Sequence, residues 1–173
     1  MKSKITILGH PIHPMLIAFP ITFYFVTFFG YCFYNTLHDA FWFRVAYAAN
    51  IVGVASAVVA AIPGFLDWLL AIPNRDAAKF TGLYHMILNL LALGFFGVNA
   101  WAQAGQWFSV IPNASGAIPL SLGGVLCTLG AGFLGWNLVQ KHHIGIDLTT
   151  EQAKLEPAEP IKEFAKQKDK MAS

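Results

Sequence analysis

Ile118-Pro119-Leu120-Ser121-Leu122-Gly123-Gly124-Val125-Leu126-Cys127-Thr128-Leu129-Gly130-Ala131-Gly132-Phe133-Leu134-Gly135-Trp136-Asn137-Leu138-Val139 contains no Asp, Glu, Lys or Arg. About 20 apolar residues of helix cross a hydrocarbon core roughly 30 Å thick, so this stretch reads as a membrane span. Three more stretches have the same character: Pro14 to Tyr34, Phe41 to Ile62 and Thr81 to Ala102. Breakers separate them, at Asn35 to Asp39, at Pro63-Gly64 and Pro73-Asn74, and from Gly105 to Pro119. Connections this short make each helix antiparallel to the one before it. The expected fold is therefore all-α, an integral membrane four-helix bundle in up-down-up-down order over residues 1–148, with both termini on one side. Lys2, Lys4, Arg75, Lys79, Lys141 and the tail fall on that side and only Arg44 on the other, so the positive-inside bias places both termini in the cytoplasm.

Composition agrees. Of the 173 residues 56% are hydrophobic and 12% charged, with a mean hydropathy of +0.55, above the range of a soluble domain. Net charge is only +2, and five of the eleven Lys and Arg residues lie in the last twenty positions, which leaves no basic face for nucleic acid. Cys32 and Cys127 stand alone in apolar segments, as packing residues. Lys2 and Lys4 precede the first span as in a signal peptide, but the span is too long and aromatic and no small-x-small site follows it, so it reads as retained. Residues 149–173 turn to Glu, Lys, Gln and Pro and read as a charged cytoplasmic tail, disordered or forming a short surface helix.

Small residues recur within the spans: Gly53, Ser56 and Ala57 in the second, and Gly123, Gly124, Gly130, Gly132 and Gly135 in the fourth. Close helix packing explains them; room for a flat cofactor is the sharper alternative. The polar residues are more telling. His10 and His13 sit just before the first span, with Pro14 starting it and His13 near the cap. His85 lies near the start of the third span, with Asn89 one turn further on the same face. His142 and His143 close the fourth, and only His38 falls on the far side. A polar group inside a span is expensive without a partner and points to function. The plain alternative for His85 is a neutral imidazole bonded to Asn50, Asn89 or a backbone carbonyl.

Four converging imidazoles suit two kinds of ligand. Haem b, one or two per chain, takes axial histidines from facing helices, an apolar slot and cations for its propionates, here Arg75, Lys79 and Lys141. Copper or zinc takes three or four nitrogens about 2.0–2.1 Å from one ion. Fifteen Phe, five Trp and the glycine run favour the flat ligand. Asp67, in Pro63-Gly64-Phe65-Leu66-Asp67-Trp68, either orients a ligating imidazole or relays a proton to a quinone, or else faces water and pairs with Arg75. No phosphate loop, nucleophile elbow, CxxC or His-Glu-x-x-His occurs, so no turnover chemistry is assigned.

Four blocks together resemble one family: Gly9-His10-Pro11-Ile12-His13-Pro14-Met15, Pro63-Gly64-Phe65-Leu66-Asp67-Trp68, His85-Met86-Ile87-Leu88-Asn89-Leu90 and Leu138-Val139-Gln140-Lys141-His142. They are similar to the small bacterial four-helix membrane proteins of domain of unknown function 2231, over about residues 7 to 147. The resemblance implies a bacterial inner-membrane bundle. Some members are joined to Rieske-type iron-sulfur domains, which implies membrane electron transfer and a b-type haem. By motif match His10, His13, His85 and His142 carry over as ligands to haem or metal, with Asp67, Asn89, Trp68 and His143 around them. Where the family has Tyr-Arg-His-Gly, this chain has Gln140-Lys141-His142-His143.

The expected function is thus a cytochrome b-like electron carrier in the lipid bilayer, with a quinone or an iron-sulfur or other redox protein as partner. The alternatives are a copper- or zinc-binding membrane protein, or a non-redox structural subunit in a homo-oligomer or larger complex.

Overall fold

A computed structural model describes residues 3–74 and 76–146, together with Thr149, Glu151 and Lys154. Arg75 and most of the expected tail lie outside the described residues. The chain opens with a hairpin of β1 (Thr6–Ile7) and β2 (His10–Pro11). Its two-residue turn, Leu8-Gly9, has positive φ at both positions (50° and 82°), as a tight hairpin with right-handed twist requires. Helices α1 (Ile12–Leu16), α2 (Ala18–Leu37), α3 (Ala40–Leu70), α4 (Ala77–Gln103) and α5 (Ala117–Gln140) follow. Pro20 has no N–H for the Leu16 carbonyl, and α1 and α2 are divided at Ile17. A 3-10 turn, Ala104–Gln106, extends α4.

Four segments are long and apolar enough to cross a membrane: Ile12–Leu37, Ala40–Leu70, Ala77–Gln106 and Ala117–Gln140. The protein is a multi-pass four-helix bundle. Local chemistry sets the helix ends. His38 takes the left-handed conformation (φ 56°) that closes α2, and Asp39 caps α3 by accepting from the Phe41 N–H at 2.9 Å. Asp76 caps α4 in the same way, from Ala78 at 2.8 Å.

The second span corrects the sequence reading. Pro63-Gly64 does not end it; α3 runs straight through to Leu70, 31 residues and about 46 Å. Proline withholds a donor from the Val59 carbonyl, but membrane helices tolerate this where neighbouring groups rebind the loosened turn. Here His13 donates to the adjacent Ala60 carbonyl, as described below.

The extra two turns of α3 are closed by Lys79. Its ammonium donates to the Trp68 and Ile72 carbonyls and stands 4.1 Å over the Trp68 ring, while Trp68 Nε1 donates to the Lys79 carbonyl at 3.0 Å. A cation at a helix C-terminus is favourable on both counts.

Helix packing is closest within the pairs α2/α3 and α4/α5. Gly30 meets Ala46 so closely that a Cβ would lie 2.9 Å from the alanine methyl. The glycines of α5 receive side chains of α4: Phe95 at Gly123, Phe96 at Gly124 and His85 at Gly135. At these three positions packing fills the room considered for a flat cofactor. At the bundle's middle Phe96 stacks on Tyr24, with centroids 3.7 Å apart and planes within 5°.

Candidate histidine site

His13 enters the bundle from the first turn of α1 and lies against α3. Its Nδ1 is 2.8 Å from the Ala60 carbonyl, three residues before Pro63. A Cβ on Gly64 would lie 2.7 Å from the ring, so the absence of a side chain there is what admits the imidazole. His85 enters from α4 and lies against α5, with Nδ1 2.8 Å from the Ala131 carbonyl and Gly135 beside the ring. The starts of α1 and α4 and the ends of α3 and α5 therefore share one end of the bundle. The two rings meet there with centroids 6.3 Å apart and planes at 90°.

Both tautomers follow from the partners. A carbonyl oxygen only accepts, so each neutral ring carries its proton on Nδ1 and keeps a lone pair on Nε2. The Asn89 amide lies 3.1 Å from His85 Nε2 and also donates to the His85 carbonyl at 2.9 Å. His13 Nε2 has no hydrogen-bond partner among the described residues. An imidazole with Nδ1–H fixed on a backbone carbonyl is the usual arrangement of a metal-binding histidine.

The remaining candidates stand elsewhere. His10 is exposed on β2, opposite Ile7. His142 and His143 follow the end of α5, where His143 has φ 50° and the Ile144 N–H returns to the Leu138 carbonyl at 3.0 Å. Among the described residues no three His, Cys, Asp or Glu side chains come together as a metal-holding group. Of the expected set of His10, His13, His85 and His142, His13 and His85 are brought into ring contact.

Among the described residues Asp67 bonds the chain's start rather than an imidazole. It clamps the N-terminal segment, accepting from Ser3 Oγ at 2.6 Å and from the Lys4 and Ile5 N–H groups at 2.8 and 3.1 Å. The Ile12 N–H then closes on the Ile5 carbonyl at 3.1 Å, so Asp67 positions the hairpin from which α1 and His13 emerge. Trp68 packs into the space left by Gly82, a neighbour of Lys79 rather than of the histidines. Of the cations considered for propionates, Lys79 is spent on the end of α3 and Lys141 is exposed.

An apolar crevice of about 350 Å³ lies between α3 and α4, lined by Val58, Ala61, Ile62, Phe65, Leu66 and Leu93. Leu93 is one turn beyond Asn89, so the crevice continues the stripe that carries His85 and Asn89. Of the partners expected for His85, Asn89 and a backbone carbonyl, that of Ala131, are the ones found, whereas sequence reasoning missed the Ala60 carbonyl that holds His13 and the gaps at Gly64 and Gly135. Only the Pro-Gly pair within an apolar run could have signalled one of them.

Residues 9–148 match the model of a family described as Predicted membrane protein (DUF2231). Neither curated proteins nor solved structures give a match.

Proposed function

We propose that this chain, which belongs to the DUF2231 family of predicted membrane proteins, binds a b-type haem for membrane electron transfer, which His13 and His85 would hold. The supporting observation is the meeting of the two rings, with centroids 6.3 Å apart and both Nδ1 atoms committed to carbonyls, so that Nε2 of each would be the nitrogen offered to the group. Binding requires Asn89 to release His85 Nε2. The crevice beyond Asn89 offers apolar walls for a macrocycle edge, and Lys141 remains for a propionate. A haem held there supplies one-electron transfer, to or from a quinone or an iron-sulfur or other redox protein.

Lys4, Lys79 and Lys141 at the histidine end, against Arg44 at the other, support a cytoplasmic position for the site and both termini in a bacterial inner membrane. The test is an absorbance spectrum of detergent-purified protein expressed with haem available. A Soret band with sharp α and β bands after dithionite is expected, and His85→Ala should abolish it. An unchanged spectrum in that variant sinks the ligand assignment.

A copper ion at the same pair is the second reading. The engagement of Lys79 with α3 favours it, since one cation for the propionates is thereby lost. Two imidazoles fall short of the three or four ligands zinc takes. Elemental analysis separates the readings, and a colourless, metal-free protein returns the pair to a polar packing network.

A further inference from the structure

At the end of the bundle away from the histidines, the chain between α4 and α5 turns its apolar side chains outward. Phe108, Val110 and Ile111 are 91%, 87% and 85% exposed, and Trp101, in the last turn of α4, is 82% exposed. In water such a patch would be a liability, and patches of this kind mark contacts with a protein or a membrane.

The loop is held in this shape from within and from its flanks. Gln106 Oε1 accepts from the Ser109 hydroxyl at 3.3 Å and from the Asn113 N–H at 3.0 Å, and Asn113 Oδ1 accepts from the Ser115 N–H at 2.9 Å. On one flank Arg44 Nε of α3 donates to the Trp107 carbonyl at 3.4 Å, and the Tyr47 and Trp107 rings stand 5.7 Å apart. On the other flank the Tyr34 hydroxyl of α2 donates to the Pro112 carbonyl. The polar groups are thus turned inward, and the three large apolar side chains between the flanks are left outside.

Two exposed tryptophans give the height of this loop in the bilayer. Gly135 of α5 packs beside His85, so the next residue, exposed Trp136, stands close to the level of His85. Trp101 lies sixteen residues beyond His85 on α4, about 24 Å along the axis. That is a little under the roughly 30 Å of a hydrocarbon core, as suits two rings at its opposite borders, where tryptophan and tyrosine collect. The loop leaves from Gln106, about 8 Å further out than Trp101, and returns to the level of Asn99 and Gln103, which donate to the Ala117 and Ser115 carbonyls at 3.1 and 3.4 Å. With both flanks bonded to the ends of α2 and α3, Phe108 to Ile111 stay in the border layer beside Trp101.

Charge selects lipid over protein as the occupant. A docking site for a protein in water has a polar rim, yet no Asp, Glu, Lys or Arg occurs between Lys79 and Lys141. The cation at this patch is Arg44, exposed near the start of α3, whose other N–H groups have no partner among the described residues. Apolar side chains at the boundary of headgroups and acyl chains, with a cation at the level of the phosphates, make an interfacial anchor. We propose that the α4–α5 loop is such an anchor in the leaflet opposite the histidines, with Phe108, Val110 and Ile111 inserted among the upper acyl chains and Arg44 bound to a phospholipid phosphate. Through its bonds to α2 and α3 the anchored loop ties the two helix pairs together at that surface. It does not rest on the haem reading.

The test uses the full, unsubstituted chain in phospholipid nanodiscs and follows the relaxation of the Val110 and Ile111 methyl signals. A lipid carrying a nitroxide near the headgroup end of its acyl chain should relax them at least as strongly as it relaxes the methyls of Val59, exposed near the middle of α3. Several-fold weaker relaxation than at Val59 overturns the proposal, and a soluble gadolinium chelate then says why. Strong relaxation by the chelate places the loop in water, and weak relaxation by both agents means that a protein surface, such as a second copy of the chain, covers it. Dephasing of the Arg44 Cζ signal by lipid phosphorus is expected in the same sample, and its absence overturns the assignment of the phosphate to Arg44.

Discussion

Gly64→Ala and Gly132→Ala are the same chemical change in two membrane helices, and the structure gives them opposite signs. In a helix interior, replacing glycine by alanine gains about 0.5–1 kcal/mol by restricting the unfolded chain. At Gly132 nothing lies within 4 Å of the added methyl, so that gain should appear undiminished. At Gly64 the methyl would lie 2.7 Å from Cε1 and Nδ1 of His13. Relief to an ordinary contact of 3.4 Å needs a shift of about 0.7 Å. The same ring is held by its 2.8 Å bond to the Ala60 carbonyl, and that displacement takes the bond to the edge of hydrogen-bonding distance. The His13 Nδ1–H left unmet costs about 1–3 kcal/mol, so the net effect at Gly64 is a loss of up to about 2.5 kcal/mol. Reversible unfolding in mixed detergent micelles, followed by helicity, measures both variants against the parent. Gly64→Ala stabilising the bundle as much as Gly132→Ala would refute the claim that Gly64 exists to admit His13.

Other expectations follow from single contacts. Lys79→Met should cost about 1–3 kcal/mol, since it strips the donors from the Trp68 and Ile72 carbonyls, while leaving any haem spectrum unchanged. Asp67→Asn weakens the clamp on Ser3, Lys4 and Ile5, so trypsin should cut after Lys4 several-fold faster; equal cleavage rates would argue against the clamp. His38→Gly removes a side chain from a left-handed position, and thermal or detergent unfolding should show a gain of about 1 kcal/mol.

The four spans were legible because apolar length is all a bilayer demands, and an even number of them brings the chain ends to one face. The same count sent His10, His13, His85, His142 and His143 to that face. It could not say which of them meet. Spacing gives axial height but not direction, and His10 and His142 lie outside helices, on a hairpin strand and past the end of α5. Asp67 shows the limit from the other side. Its partners are the Ser3 hydroxyl and the Lys4 and Ile5 N–H groups, more than sixty residues away in sequence, and nothing in the residue types there singles them out. The Pro63-Gly64 pair was misread for a related reason: in water it would end a helix, whereas here a histidine from another helix takes up a carbonyl in the disturbed turn.

That last contact bears on function as well as on folding. If His13 served only to mend the proline turn, any donor of similar reach would do. An imidazole, however, offers a second nitrogen, and the structure leaves it uncommitted at a point where another imidazole arrives in the same tautomer from the opposite helix pair. His85 has a sufficient packing account of its own, with Ala131 at one nitrogen and Asn89 at the other; His13 has not. The decisive comparison is therefore His13→Gln. Its amide N–H can replace the bond to Ala60 and preserve the helix, but it cannot supply an imidazole lone pair to a ligand shared with His85. A variant that keeps its stability and loses the chromophore or the metal separates binding from packing, whereas one that keeps both assigns His13 to the fold.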